Sequence, residues 1–152
     1  MTFKIPHSVL VVIFTPMREF LLIERADGMG WQSVTGSLDS LEESPYLAAL
    51  REVKEETGID AQGPDHHLLD LNTCHQFEIH PSYIHRYAQG TTHNLEHVFS
   101  LQVPERFDIV LNPSEHANWC WQTADKAIEM VFSYTNANVI LRINTNALEA
   151  KQ

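Results

Sequence analysis

Between Ser44-Pro45 and Gly58 the chain carries a start signal and a stop signal for one helix. Serine caps a helix by accepting from backbone N–H groups that the first turn leaves free, and proline at the first helical position gives up an N–H with no intrahelical use. Glycine adopts the left-handed conformation that ends helices. Leu47, Leu50, Val53 and Thr57 recur at helical spacing and mark the face expected to pack. The remaining face then carries Glu52, Glu55 and Glu56 within an arc of roughly 100°. Glu52 and Glu56 are i,i+4 neighbours, and like charges at that spacing repel by about 0.2–0.5 kcal/mol. Glu55 and Glu56 also sit in the last turn, where the helix dipole disfavours anions. Local conflicts of this kind concentrate at functional sites. A hard divalent cation held by oxygens removes both penalties.

Around this helix the pattern is mixed. Ser8–Phe14 is a β-branched run that predicts a buried strand, and Phe20–Arg25 is its returning partner after a turn at Pro16–Glu19. Trp31–Thr35 predicts a third short strand ending at Gly36, after a loop at Asp27–Gly30. Leu68–Ile79, Asn94–Val103 and Asn118–Gln122 predict further strands. Thr123–Met130 and Asn136–Leu148 predict helices, the second through Val139, Ile140, Ile143 and Leu148. With no repeat, linker or low-complexity tract, the expectation is one domain over residues 1–152, an α/β (α+β) sandwich.

Charge narrows the range of partners. Twenty acids against ten bases give −10 without any basic run, which argues against nucleic acid or an anionic membrane surface. A phosphorylated small molecule stays open, because a bound cation inverts the local field. Cys74 and Cys120 form no C-x-x-C and are expected to be reduced, partly buried thiols. The apolar run Ser8–Phe14 is too short to span a bilayer and lacks the flanks of a secretory signal, so the expected compartment is the cytoplasm. The nine histidines are scattered, with no His-x-x-His pair, and predict no zinc site.

The pattern G-x5-E-x7-R-E-U-x-E-E-x-G-U, U being apolar, defines the Nudix hydrolases. Gly36, Glu43, Arg51, Glu52, Val53, Glu55, Glu56, Gly58 and Ile59 fit it. Six residues rather than five separate Gly36 from Glu43, which reads as a one-residue loop insertion. The similarity continues through Lys4, Ser8–Ile13, Ile23–Arg25, Trp31–Ser37, His85-Arg-Tyr-Ala88, Glu115-His116, and Ser133 with Asn136. In these stretches the chain resembles the bacterial dihydroneopterin triphosphate pyrophosphatases of folate biosynthesis.

The resemblance implies a Nudix α/β/α sandwich with a mixed central sheet. It also implies Mg²⁺-dependent hydrolysis of dihydroneopterin triphosphate to the monophosphate and pyrophosphate, with Mn²⁺ as a possible substitute. Glu52 and Glu56 would be the metal ligands, with Glu55 supporting them or holding a second ion. Arg51 would pair with Glu43 and orient the helix against its loop. Glu115 would complete the metal site or take the proton from the attacking water; His116 beside it reads as structural. Lys4 and Arg25 would meet phosphate oxygens, Thr35 and Ser133 would contact substrate, and Arg86 has no assigned role. Trp31, Phe77, Tyr87 and Trp121 are candidates for a flat slot holding the ring.

Two other readings fit the same residues. One keeps the chemistry and changes the substrate to a (deoxy)nucleoside triphosphate such as dATP. The other is a nucleotide-binding Nudix module without catalysis, which the intact set of mutually repelling acids disfavours. A monomer and a homodimer are equally compatible with the sequence.

Overall fold

The β-branched run predicted from the sequence becomes β1 (His7–Phe14), the central strand of the sheet in this computed structural model, which describes residues 2–150 and side chains through residue 146. The other strands are β2 (Glu19–Arg25), β3 (Trp31–Gln32), β4 (Val34–Ser37), β5 (His67–Glu78), β6 (His93–Gln102) and β7 (His116–Thr123). The helices are α1 (Pro45–Thr57), α2 (Ala124–Met130) and α3 (Tyr134–Ala150), with a single 3-10 turn at Ile84–Arg86.

The sheet runs β3-β2-β1-β6-β5, with β4 also on β1 and β7 also on β2. β1 and β6 are parallel along their whole length and the other pairs are antiparallel. β1 meets β4 through Ser8–Val11 but touches β2 only at Phe14↔Phe20, so the sheet splays between β4 and β2.

β1 is apolar at every position from Val9 to Phe14 because both of its faces are covered. Val9, Val11 and Ile13 pack with Ala48, Ala49 and Val53 of α1. Leu10, Val12 and Phe14 pack with Ala127 of α2 and with Val139, Ile140 and Ile143 of α3. This is the expected α/β/α arrangement around a mixed seven-stranded sheet.

The helix boundaries follow the caps. The Ser44 side chain accepts from the Leu47 N–H at 3.2 Å, and Gly58, at φ 79°, sends its N–H to the Lys54 carbonyl. The packed face of α1 differs from the expectation. Leu47 is 56% exposed, whereas Ala48, Ala49, Val53 and Thr57 are buried together with Glu52 and Glu56. Small alanines let the helix approach β1 closely, and this rotation turns two of the glutamates inward. The predicted third strand is also interrupted at Ser33. Asn136 accepts from the Ser33 N–H at 2.9 Å and donates to its hydroxyl at 2.9 Å, tying the interruption to the start of α3. Cys74 is exposed rather than partly buried, and neither cysteine is in a disulfide.

Candidate active site

Glu52 and Glu56 are 9% and 4% exposed, and Glu55 remains in solvent. Burial pushes the Glu52 carboxyl up to about 7, with Glu55 and Glu115 adding repulsion and Arg51 opposing. Glu56 is raised well above the carboxylate range by burial first, then by Glu52 and Glu115. The Glu56 Oε2 does accept from the Thr35 N–H at 3.2 Å. β4 comes close because Gly36 faces Glu52 without a side chain; a Cβ there would overlap the Glu52 carboxylate.

Arg51 organises the acids. Its Nε and Nη2 donate to Glu43 at 3.0 and 2.9 Å, and Nη2 also donates to the Ser37 carbonyl at 3.0 Å. Nη1 donates to Glu52 at 2.7 Å and to Glu55 at 3.3 Å. Asp39, in the loop that carries the extra residue, adds an ion pair at 3.0 Å. The guanidinium holds Glu43 below its ordinary range. Thus Glu43, rather than Glu42, is the loop acid that Arg51 fixes, and the added residue is absorbed between Gly36 and Glu43.

The loop before β7 supplies the opposite wall. The Glu115 N–H donates to Asn112 and its carbonyl accepts from the Ala26 N–H at 2.9 Å, so the loop is pinned through main chain while the Glu115 residue stays exposed. His116 is 3% exposed, with Nε2 at 3.9 Å from Glu56 and Nδ1 unpartnered. Burial lowers its pKa, which favours the neutral imidazole. Glu56, Glu115 and His116 each offer a ligand atom, and the three atoms lie within 4.8 Å of one another. The buried Glu56, the exposed Glu115 and a buried imidazole favoured in its neutral form make a set of oxygen and nitrogen donors that fits a divalent cation.

Two chambers adjoin here. The acidic chamber, about 560 Å³, is bounded by Glu52, Glu55, Glu56, Glu115, His116 and Arg51. The second, about 480 Å³, has a wall of Phe77, Ile79, Tyr83, Tyr87 and Phe132, with Ser133 at its rim. Lys4, Arg25, Thr35 and Arg86 line both chambers. The Lys4 ammonium is lowered by loss of water at the cleft wall, then by Arg86 and Arg25. Arg25 and Arg86 both stack on the Tyr83 ring, at 5.2 and 5.0 Å from its centroid. Arg25 also forks onto Asp27 at 2.7–3.1 Å, and the Tyr83 hydroxyl donates to the same carboxylate.

The residues singled out in the sequence therefore converge: Glu43, Arg51, Glu52, Glu55, Glu56 and Glu115 about the acidic chamber, Lys4, Arg25 and Thr35 at the junction, and Ser133 in the second chamber. Of the four aromatic candidates, Phe77 and Tyr87 line the second chamber. Trp31 and Trp121 instead pack beside the two cores, Trp121 donating its ring N–H to the Phe107 carbonyl. Tyr83 and Phe132 emerge only in three dimensions, and His116, expected to be structural, stands among the residues that offer a metal-ligand atom. His116 is next to an acid already singled out, and that adjacency is the one signal in the sequence that points to it.

The NUDIX domain matches residues 4–141 of the chain. The protein belongs to this family and is a Nudix hydrolase. Over 142 residues it is 42% identical to the dihydroneopterin triphosphate diphosphatase of Haemophilus influenzae, covering 92% of this chain and 88% of that one. The Escherichia coli K12 protein of the same name is 40% identical over 147 residues, 95% and 96% of the two chains. The solved structure of the E. coli dihydroneopterin triphosphate pyrophosphohydrolase superposes with a TM-score of 0.88 at 37% identity, covering 96% of this chain and 99% of that one. No helix among the described residues is long and apolar enough to cross a membrane.

Proposed function

We propose that this protein hydrolyses dihydroneopterin triphosphate to the monophosphate and pyrophosphate, a step of folate biosynthesis, with Mg²⁺ as its metal and Mn²⁺ as a substitute. Water adds across the α–β phosphoanhydride; the bridging P–O bond breaks and pyrophosphate leaves. The observation that carries the reading is the adjoining of a chamber of acids and a chamber of aromatic side chains, with Lys4, Arg25 and Arg86 lining both. A ring joined to a short polyphosphate would set the ring against the aromatic wall and the phosphates beside Lys4, Arg25 and Arg86, a bound cation offsetting the acids.

Glu52, Glu56 and Glu115 would hold the cation, with His116 beside them and Glu55 at the outer edge. The cation, when bound, offsets the negative charge of the phosphates. Arg51 fixes Glu52 and ties α1 to the Gly36–Glu43 loop through Glu43. Lys4, Arg25 and Arg86 orient the phosphate oxygens, arginine as a fork and lysine as a point charge. Thr35 and Ser133 contact the substrate from β4 and from the start of α3. Glu115 is exposed and held through its backbone, which leaves its carboxylate free either to complete this ligand set or to accept the proton of the attacking water. The whole chain acts as one domain in the cytoplasm, as a monomer or homodimer. Its net charge of −10 argues against nucleic acid or membrane as a partner.

The test is product analysis with dihydroneopterin triphosphate and dATP, in Mg²⁺ and in EDTA. The expected result is pyrophosphate and the monophosphate only with metal, and a higher kcat/KM for the pterin. A wide preference for dATP would move the assignment to a nucleotide pyrophosphohydrolase. No metal-dependent turnover of any triphosphate would leave a binding module.

A further inference from the structure

The floor of the aromatic chamber holds a buried carboxylate that the chemistry above does not use. Glu96 lies on β6, 6% exposed, and lines the chamber with Asn94, which is 2% exposed on the same face of the strand. The Glu96 Oε1 and the Asn94 Oδ1 are both buried without a hydrogen-bond partner. The Asn94 amide group is fixed by donating to the Ser8 hydroxyl at 2.7 Å, which orients its carbonyl. His75 Nδ1 stands 3.6 Å from Glu96 Oε1, an ion pair only when the imidazole is protonated and too long for a hydrogen bond, and it has no hydrogen-bond partner of its own. Burial pushes the Glu96 carboxyl up to about 7, the Thr135 hydroxyl pulling against it. A buried acceptor left without a donor is unfavourable by about 1–3 kcal/mol, more when charged. Two such acceptors beside a cavity walled by aromatic rings call for a planar ligand with N–H donors on its edge.

We infer that Glu96, assisted by Asn94, reads the edge of the ring, selecting a 2-amino-4-oxopyrimidine whose ring N–H and amino group stand side by side. Dihydropterin and guanine share that edge. Adenine presents a ring acceptor beside its amino group and would set a lone pair against the carboxylate. This assignment rests on the proposed hydrolysis and adds to it the group that selects the ring. Glu96 is distant in role from the acids of α1: it determines which ring is accepted, and they serve the phosphates.

The test compares wild type with Glu96→Gln, using dihydroneopterin triphosphate, dGTP and dATP, with thermal melts of both proteins. The expected result is a loss of kcat/KM of at least about tenfold for the first two, carried by KM, because a hydrogen bond to a charged group is removed. The dATP value should stay within about twofold, and the melting temperature should hold. Equal losses on all three substrates, or a fallen melting temperature with unchanged selectivity, would overturn the inference and make Glu96 a structural partner of His75. Calorimetric binding of neopterin, which has no phosphates, separates this result from the hydrolysis itself. If no triphosphate is turned over, neopterin binding at least about tenfold weaker to Glu96→Gln still supports ring reading. Equal affinity for the two proteins, or no binding to wild type, rejects it.

Discussion

The Glu52 carboxylate occupies the space that a side chain on Gly36 would fill. Gly36 is therefore needed for room rather than for an unusual backbone conformation. Gly36→Ala should displace Glu52 from Arg51 and from the cleft. The expected loss in kcat is about 100-fold, as for other displacements of roughly an ångström at a reacting centre. Overpacking should lower stability by about 1–3 kcal/mol. Steady-state kinetics at a temperature where the variant is fully folded separates the two effects. Near-normal activity there would mean that Glu52 does not need its observed position.

Glu56→Gln should lower kcat by a factor on the order of 100 or more while the fold survives. Glutamine keeps an oxygen for the Thr35 N–H and removes an acid whose ionisation is opposed by burial, Glu52 and Glu115. The metal-free melting temperature should hold or rise by a few degrees, at about 2–4 °C per kcal/mol. A large fall in a metal-free melt would give Glu56 a structural role instead.

The raised carboxyls predict an uncommon pH profile. Glu52 and Glu96 move from 4.5 up to about 7, and Glu56 moves in the same direction. Each binds its proton more tightly folded than unfolded. Without metal, stability from these groups is full below the unfolded value and declines as pH rises from about 4.5 through about 7. Glu43, which is lowered, acts in the opposite sense at more acid pH. Urea midpoints should therefore fall between about pH 5 and pH 8 in EDTA. Mg²⁺ should restore them at the upper end and change little at the lower end. A midpoint that rises through this window without metal would show that the buried acids are relieved by something other than a cation.

Arg86→Ala should raise KM for the triphosphate about tenfold with a smaller change in kcat, through loss of a charge-assisted contact where the two chambers adjoin. The salt dependence of kcat/KM should flatten as well. Unchanged KM and salt dependence would leave Arg86 with no more than its stacking on Tyr83.

What the sequence makes legible is local. Ser44, Pro45 and Gly58 mark α1 because caps act over a few residues, and the Val9–Phe14 run marks a strand covered on both faces. The rotation of α1 was not legible, since Leu47 is as apolar in solvent as it would be in a core. Nothing in a periodicity distinguishes a glutamate lining a cleft from one facing water. The break at Ser33 depends on Asn136, more than a hundred residues away, and Arg86 meets Lys4 only because a 3-10 turn folds back beside the first strand. The site acids were visible because they violate helix rules together, whereas Glu96 violates no local rule and is conspicuous only when its burial is known.

The parallel union of β1 with β6 places Ser8 beside Glu96 and brings Asn94 within reach of the Ser8 hydroxyl, across a chain separation of 86 residues. Such distant partners make loop closure entropy the obstacle to folding. A nascent chain can pair one edge of its first strand with β4 and β2 early, but must hold the other edge open until β6, ending at Gln102, has emerged. Premature translational arrest would therefore expose an apolar, edge-competent segment to aggregation or to chaperone capture, well before any cleft exists to take up a substrate.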